Sequence, residues 1–338
     1  IQLSLAAFRA HNSSAGPFGE AFYYVDDAIP DSLKPYFNYV AIHPYAFNIT
    51  QFNAGNLNAG VTETPESDDG AFLTLKNMID WKNQKMPNAK VNVTEFGWNA
   101  GVPNDGCGPL GESTQAAYYM RAFLLSARYN IHRSFIYGYT DQNEYPLYCT
   151  TGLFKDINNN IQRKSYKSIQ TTVTSPVKDA RFLKALSENT SQTSNGQNGK
   201  FVYLFGDAAG TPTHIVAWKP VKLGYEDTNY PALSSAYDTI TLPSTTMSLL
   251  MNDPYTYLGW DATQNGNISA TSGATVLING SVISTNSVMV KLSGMPIVIP
   301  IHANGCKYDS TGALVNCGPT SVSNYLNNVY PVSYTHLR

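Results

Sequence analysis

The chain has 338 residues, a formal net charge of -2 and only 14% charged residues, against 12% aromatics that include 23 Tyr. That length suits two domains, each able to bury its own core, and uncharged polar groups must take over much of the surface. The balance offers no basic field for nucleic acid and no polybasic patch, and no apolar run approaches the ~18 residues that span a bilayer. The longest obvious one, Met295 to Ile301, holds two prolines.

Gln2 to Ala7 reads as a strand, so the chain opens inside an element, without Met or a leader, and is expected to be cut at its N-terminus. A helical pattern runs from Glu20 to about Ala28. Asn38 to Pro44 is a second strand, apolar in its middle and ending at His43, Pro44 and Tyr45. Phe72, Leu75, Met78 and Ile79 recur at helical spacing between Asp69 and Lys82. Val91 to Phe96 alternates as a third strand, then breaks at Gly97 and Trp98, which puts Glu95 at its C-terminal mouth. After a Gly-rich loop the strongest helix spans Ser113 to about Asn130, with Ala116, Ala117, Met120, Phe123, Leu124 and Ala127 on one face. Ser134 to Tyr139 is the fourth strand; beyond Asp141 a loop with Glu144, Tyr145 and Cys149 leads to a return stretch from Arg163 to Thr172.

Four alternations of strand and helix predict a parallel sheet of βα units, half of an eightfold barrel. After Pro176 the pattern changes to short β runs separated by Gly, Asn, Pro and Ser: Lys200 to Phe205, Thr213 to Trp218, Asp238 to Leu242, Met247 to Met251, Ala274 to Ile278, Val288 to Leu292 and Ile297 to Ile301. These predict a β-sandwich.

The four cysteines have no CxxC and no His at zinc-finger spacing, which favours disulfides over a metal site. Three connectivities are open; the preferred one pairs Cys107 with Cys149 and Cys306 with Cys317, and it favours an oxidising compartment. Glycosylation triplets at Asn12, Asn48, Asn189, Asn267 and Asn279 add weakly to an extracellular reading, whereas the one at Asn92 falls inside a strand.

The strand mouths of the first domain collect His43, Tyr45, Glu95, Trp98, Tyr139 and Asp141, one acid ringed by aromatics and hydrogen bonders. Sugars suit such a site, because their ring faces lie on aromatic planes and their hydroxyls need polar partners. VNVTEFGW resembles the nucleophile strand of the retaining glycoside hydrolases of clan A. AIHPY upstream, STQAAYYMRAFLLSA, SFIYGYTDQNE and TTGLFKD downstream, and then Lys164 and Tyr166 support the likeness over roughly residues 1 to 172. The resemblance implies that Glu95 is the nucleophile ending strand seven, that His43 and Tyr45 end strand six, and that Ser134 to Asp141 is strand eight.

Two departures accompany it. The clan's acid/base glutamate at the end of strand four has no counterpart before strand five, here Gln2 to Ala7. The Trp that commonly lies under the reactive sugar on strand eight is replaced by Tyr137 or Tyr139. The resemblance thus implies a partial (β/α)8 barrel (1–175) whose parent is a retaining glycosidase, this piece being inactive alone. An accessory β-sandwich (176–302), similar to those beside β-xylosidases and α-L-iduronidases, and a Cys-bearing tail (303–338) would follow. The tail ends in VSYTHLR, which resembles translated adapter read-through. Substrate contacts are expected from His43, Tyr45, Trp98, Tyr139 and Asp141, with a glycoside or polysaccharide as partner, no cofactor or metal, and secretion. A non-catalytic carbohydrate-binding or cell-surface protein on a degenerate barrel is the alternative.

Overall fold

The computed structural model describes residues 4–9, 29–46, 62–67, 71–101, 107, 110–141, 148–174, 177–189, 199–222, 238–241, 247–250, 255–259, 265–266, 274–278, 281–303, 307–311 and 313–316. The helix expected from Glu20, Glu144, the Cys306–Cys317 pairing, the triplets at Asn12, Asn48, Asn267 and Asn279 and the VSYTHLR tail lie outside them.

Strands β1 (Ser4–Arg9), β2 (Tyr39–His43), β3 (Lys90–Phe96) and β4 (Arg133–Ile136) form a parallel sheet in the order β1-β2-β3-β4. Helix α1 (Ala71–Lys85) precedes β3 and α2 (Gly111–Arg128) precedes β4. Sequence order equals spatial order, as successive βα units require, and among the described residues the sheet does not close into a barrel. Val40, Ile42, Val91 and Val93, all at most 2% exposed, share one core with Leu75, Met78 and Trp81 of α1 and Tyr119 and Leu125 of α2. Their strand neighbours Tyr39, His43, Asn92 and Thr94 are only half-buried. One face of the sheet is therefore packed and the other is polar and partly open.

Helix α2 buries more than the single apolar stripe expected of it: Tyr118, Arg121 and Leu125 are sequestered as well as Ala116 and Ala117. It is covered on two sides. Tyr119 and Phe123 meet Phe96 of β3 edge-on at 5.7 and 5.4 Å, while Arg121 and Arg128 reach toward the β-sheets that follow. The helix stops where Asn130 turns left-handed (φ 52°), so that the N–H groups of Asn130 and Ile131 cap Ala127 and Ser126.

A short hairpin of β5 (Phe154–Asp156) and β6 (Ile161–Gln162) and helix α3 (Lys164–Thr174) complete this region. Thereafter the described elements are strands alone: β7 (Arg181–Asn189), β8 (Lys200–Gly206), β9 (Pro212–Trp218), β10 (Asp238–Thr241), β11 (Met247–Leu250), β12 (Tyr255–Tyr257), β13 (Asn265–Gly266), β14 (Ala274–Ile278), β15 (Ser281–Val290), β16 (Ile297–Pro300), β17 (His302–Ala303), β18 (Lys307–Tyr308) and β19 (Leu314–Asn316). They make a six-stranded sheet, β13-β12-β16-β9-β8-β7, a five-stranded sheet, β10-β15-β14-β11-β17, and the pair β18-β19. Trp218 of β9 is fully buried and stacked on Phe201 at 5.2 Å.

Candidate active site

The feature that builds the site is a bulge in β3. Val93 pairs with Ser134 and Phe96 with Ile136, so three steps along β3 match two along β4. The extra residue lies at Thr94 and Glu95 and breaks the alternation of side chains. Both then face the same imidazole: His43 Nε2 lies 3.0 Å from Thr94 Oγ1, and His43 Nδ1 lies 3.3 Å from Glu95 Oε2. Because a carboxylate only accepts, Nδ1 carries the proton when the ring is neutral, and Nε2 accepts from the threonine hydroxyl.

Tyr45, two residues beyond β2, donates its hydroxyl to the same Glu95 Oε2 at 3.2 Å. Oε2 thus accepts from Tyr45 and lies within ion-pair distance of His43 Nδ1, and among the described residues no hydrogen bond is made to Oε1. The Glu95 side chain is 37% exposed, while Tyr45 is buried. Burial first, then the proximity of Tyr148 and of Glu95, pushes the Tyr45 phenol far above its ordinary pKa, so it stays a donor across the physiological range. Desolvation lowers the His43 pKa below 6.5 against the opposing pull of Glu95, which favours the neutral ring at pH 7. Among the described residues Glu95 therefore has the Tyr45 hydroxyl and a neutral-leaning imidazole against Oε2 and no guanidinium or ammonium.

Beside this group stand Tyr137 and Tyr148. Tyr148 lies 5.1 Å from the rings of both Tyr45 and Tyr137, and Tyr137 meets Tyr45 edge-on at 6.4 Å. Three tyrosines make an aromatic wall next to the carboxylate. Tyr137 was one of two tyrosines expected from strand eight; Tyr148 carried no signal in the sequence, because a tyrosine in a loop of a Tyr-rich chain is unremarkable.

The remaining expected residues stand elsewhere. Trp98 is fully buried, donates its indole N–H to the Glu63 carbonyl at 2.9 Å, and packs edge-on against Phe96, Tyr118 and Tyr119. The bulge explains it, since Phe96 is re-phased onto the helix side and Trp98, two residues on, follows it into the core. Tyr139 is 58% exposed and lies against Phe154 at 4.9 Å, with no described contact to Glu95. Its carbonyl accepts from Leu153 and Phe154, and Gly138 before it is left-handed (φ 84°), which turns the chain toward β5. Asp141 is ion-paired with Arg163, which also reaches Glu112, and burial raises its pKa against the pull of Arg163. The structure joins Glu95, His43 and Tyr45 and leaves Trp98, Tyr139 and Asp141 outside that group.

The disulfide Cys107–Cys149 links the loop after β3 to the loop after β4. Among the described residues no cluster of His, Cys, Asp or Glu could hold a metal ion, and no helix is long and apolar enough to cross a membrane.

No protein-family model matches the chain, and no curated protein matches it. Among solved structures it is similar to a family 39 glycoside hydrolase from the gut symbiont Bacteroides cellulosilyticus WH2, with 17% identity and a TM-score of 0.51 over 85% of this chain and 48% of that one. An alpha-L-arabinofuranosidase from Thermotoga maritima (10% identity, TM-score 0.42, 80% and 53% of the two chains) and a glucosidase from Croceicoccus marinus (12%, 0.40, 87% and 59%) are more distant, and at these scores neither defines the fold. The likeness at 17% identity is one of fold alone. The chain spans about half the length of the family 39 structure.

Proposed function

We propose that this chain carries the nucleophile of a retaining glycoside hydrolase of clan A, on the four parallel βα units of a (β/α)8 barrel with an accessory β-sandwich behind them. The observation that supports this reading most is Glu95 itself: a bulge turns it out of the strand's alternation, the Tyr45 hydroxyl holds Oε2 with His43 beside it, and among the described residues nothing holds Oε1 back from attack. Oε1 would form a bond to the anomeric carbon as the bond to the leaving oxygen breaks and that oxygen takes a proton; water then cleaves the glycosyl ester. His43 and Tyr45 orient the carboxylate, and the tyrosines beside it offer ring faces to a saccharide.

The proton donor lies outside the described residues in this reading. Glu66 is held by Arg121, Glu112 by Lys155 and Arg163, Asp141 by Arg163, and Glu63 by Lys222. In a retaining enzyme the acid would stand ~5 to 5.5 Å from Glu95. We take this chain to be a piece that turns over little by itself, and the disulfide fits a secreted parent.

The test should need no proton donor. A 2,4-dinitrophenyl 2-deoxy-2-fluoroglycoside has a leaving group that departs unprotonated, so incubation with the xylose and glucose derivatives followed by peptide mass spectrometry reads Glu95 alone. The expected result is a glycosyl adduct on Glu95 that Glu95→Gln abolishes. Unlabelled Glu95 in a folded chain that still binds xylo- or gluco-oligosaccharide would overturn the nucleophile and make the protein a carbohydrate binder.

A further inference from the structure

Gln115 in α2 is completely buried, and its described hydrogen bonds go to none of His43, Tyr45 and Glu95. Its amide Nε2 donates to two carbonyls, Trp98 at 2.7 Å and Thr150 at 3.0 Å. Its Oε1 accepts from the Ser165 hydroxyl at 2.8 Å, which fixes which way the amide faces. One side chain therefore staples the loop that follows Glu95 to the loop that presents Tyr148. Around it the same two loops are laced by Ala100 N–H to Thr150 C=O (3.1 Å) and Thr150 N–H to Asn99 Oδ1 (3.2 Å), and Tyr119 O–H of α2 donates to Thr151 C=O (2.8 Å). The Thr151 hydroxyl then donates to the Tyr148 carbonyl at 2.9 Å, carrying the anchorage to Tyr148.

The chain of contacts continues into the site. The Tyr148 ring lies 5.1 Å from that of Tyr45, whose hydroxyl donates to Glu95. From this we infer that Gln115 is a positioning residue for Glu95: by holding the two loops at a fixed spacing it keeps Tyr148 against Tyr45 and so fixes the donor on Oε2. The alternative, a purely structural glutamine, would account for its burial but gives no reason for a local change at Tyr45 when the amide is lost. This inference rests on the nucleophile assignment for its catalytic meaning, although the coupling from Gln115 to Tyr45 does not.

Two readouts separate these. Nuclear Overhauser contacts between the Tyr45 and Tyr148 rings, and the titration of the His43 imidazole, report the geometry with no chemistry at Glu95. Labelling by the dinitrophenyl fluoroglycoside reports the chemistry. In Gln115→Leu we expect the ring contact to be lost, the His43 pKa to rise toward its ordinary value as water enters, and labelling to slow about tenfold or more, with the circular dichroism of the fold retained. Ser165→Ala, which leaves the amide in place but free to turn, should produce the same changes to a smaller degree, and Ser165→Thr should restore them. If Gln115→Leu fails to fold, the two Ser165 variants decide. An unchanged ring contact and an unchanged His43 titration in folded Gln115→Leu, or in Ser165→Ala where that alone folds, overturns the positioning role. Changed geometry without any Glu95 adduct in the parent chain overturns the nucleophile assignment and leaves the coupling standing.

Discussion

Two glutamates of the first region, Glu66 and Glu95, are held in opposite ways. Glu66 is 2% exposed and accepts from Arg121 Nε at 2.8 Å, from a second Arg121 nitrogen, and from the Trp218 indole at 2.7 Å. Arg121 also donates to the Val221 carbonyl and lies over the Tyr118 ring. Every polar atom of that knot faces a partner of opposite charge or a matched dipole, and it joins α2 to β9 of the following sheet. Glu95 is partly exposed, accepts from the neutral Tyr45 hydroxyl with the His43 imidazole beside the same oxygen, and has no guanidinium or ammonium against it among the described residues. A carboxylate paired with a fixed cation in a dry site is satisfied and inert, whereas one oriented by neutral donors keeps a lone pair to spend on a substrate. The position of an acid at a strand mouth is thus a weaker sign of chemistry than the kind of partner it is given.

The largest effect should fall on the satisfied glutamate. Arg121→Met leaves Glu66 as a buried charge with only the indole, and should destabilise the chain by about 3–5 kcal/mol in urea unfolding. Glu95→Gln, by contrast, should stay within about 0.5 kcal/mol of the parent, as substitutions at partly exposed sites usually do. Equal losses at the two sites would break the contrast. Next comes the covalent tie on the Glu95 side: the Cys107–Cys149 bridge closes a separation of 42 residues, so removing it should cost about 2–4 kcal/mol of global stability by constraining the unfolded chain less. Because Thr150 and Thr151 remain hydrogen-bonded to Asn99, Gln115 and Tyr119, the Tyr45–Tyr148 ring contact should survive in the folded Cys107→Ala/Cys149→Ala chain. Its loss there would show that the bridge, rather than the hydrogen bonds, holds Tyr148.

A third substitution is smaller. Tyr45→Phe leaves Oε2 to His43 alone, and the loss of a hydrogen bond to a charged group worth about 1.5 kcal/mol corresponds to roughly tenfold slower fluoroglycoside labelling if the bond serves to orient the carboxylate. Unchanged or faster labelling would mean that the hydroxyl restrains Glu95 without aiming it.

Much of this arrangement was legible in the sequence, and the failures have physical causes. The alternation of Val91 and Val93, the apolar middle of β2 and the long periodic stretch of α2 set three of the elements around Glu95 within about two residues, because each buries one regular face. A bulge leaves no such trace: nothing in VTEFGW says that Thr94 and Glu95 share a side, or that the shifted phase carries Trp98 into the core. Strand β7, RFLKALSEN, was missed for a related reason. It is an edge strand with two register shifts against β8, and its half-buried residues do not alternate. Tyr148 and Gln115 act through backbone carbonyls and ring contacts set by tertiary placement, which no local pattern encodes.

The smallest effect tests whether the neutral partners of Glu95 are neutral in solution. His43 has a folded pKa below its ordinary 6.5, mainly through desolvation. Between that lower value and 6.5 the unfolded chain binds more protons than the folded one, so stability must rise with pH across this window. Above 6.5 both states carry the neutral ring and the dependence ends. Acidifying through the window therefore withdraws stability, and His43→Asn should remove that part of the slope while leaving the carboxylate-driven loss at lower pH. The comparison of urea midpoints for parent and His43→Asn at a series of pH values from 5 to 8 measures it. A slope of the opposite sign that His43→Asn abolishes would mean that Glu95 outweighs burial and holds a cation after all, which would make the two glutamates alike in kind.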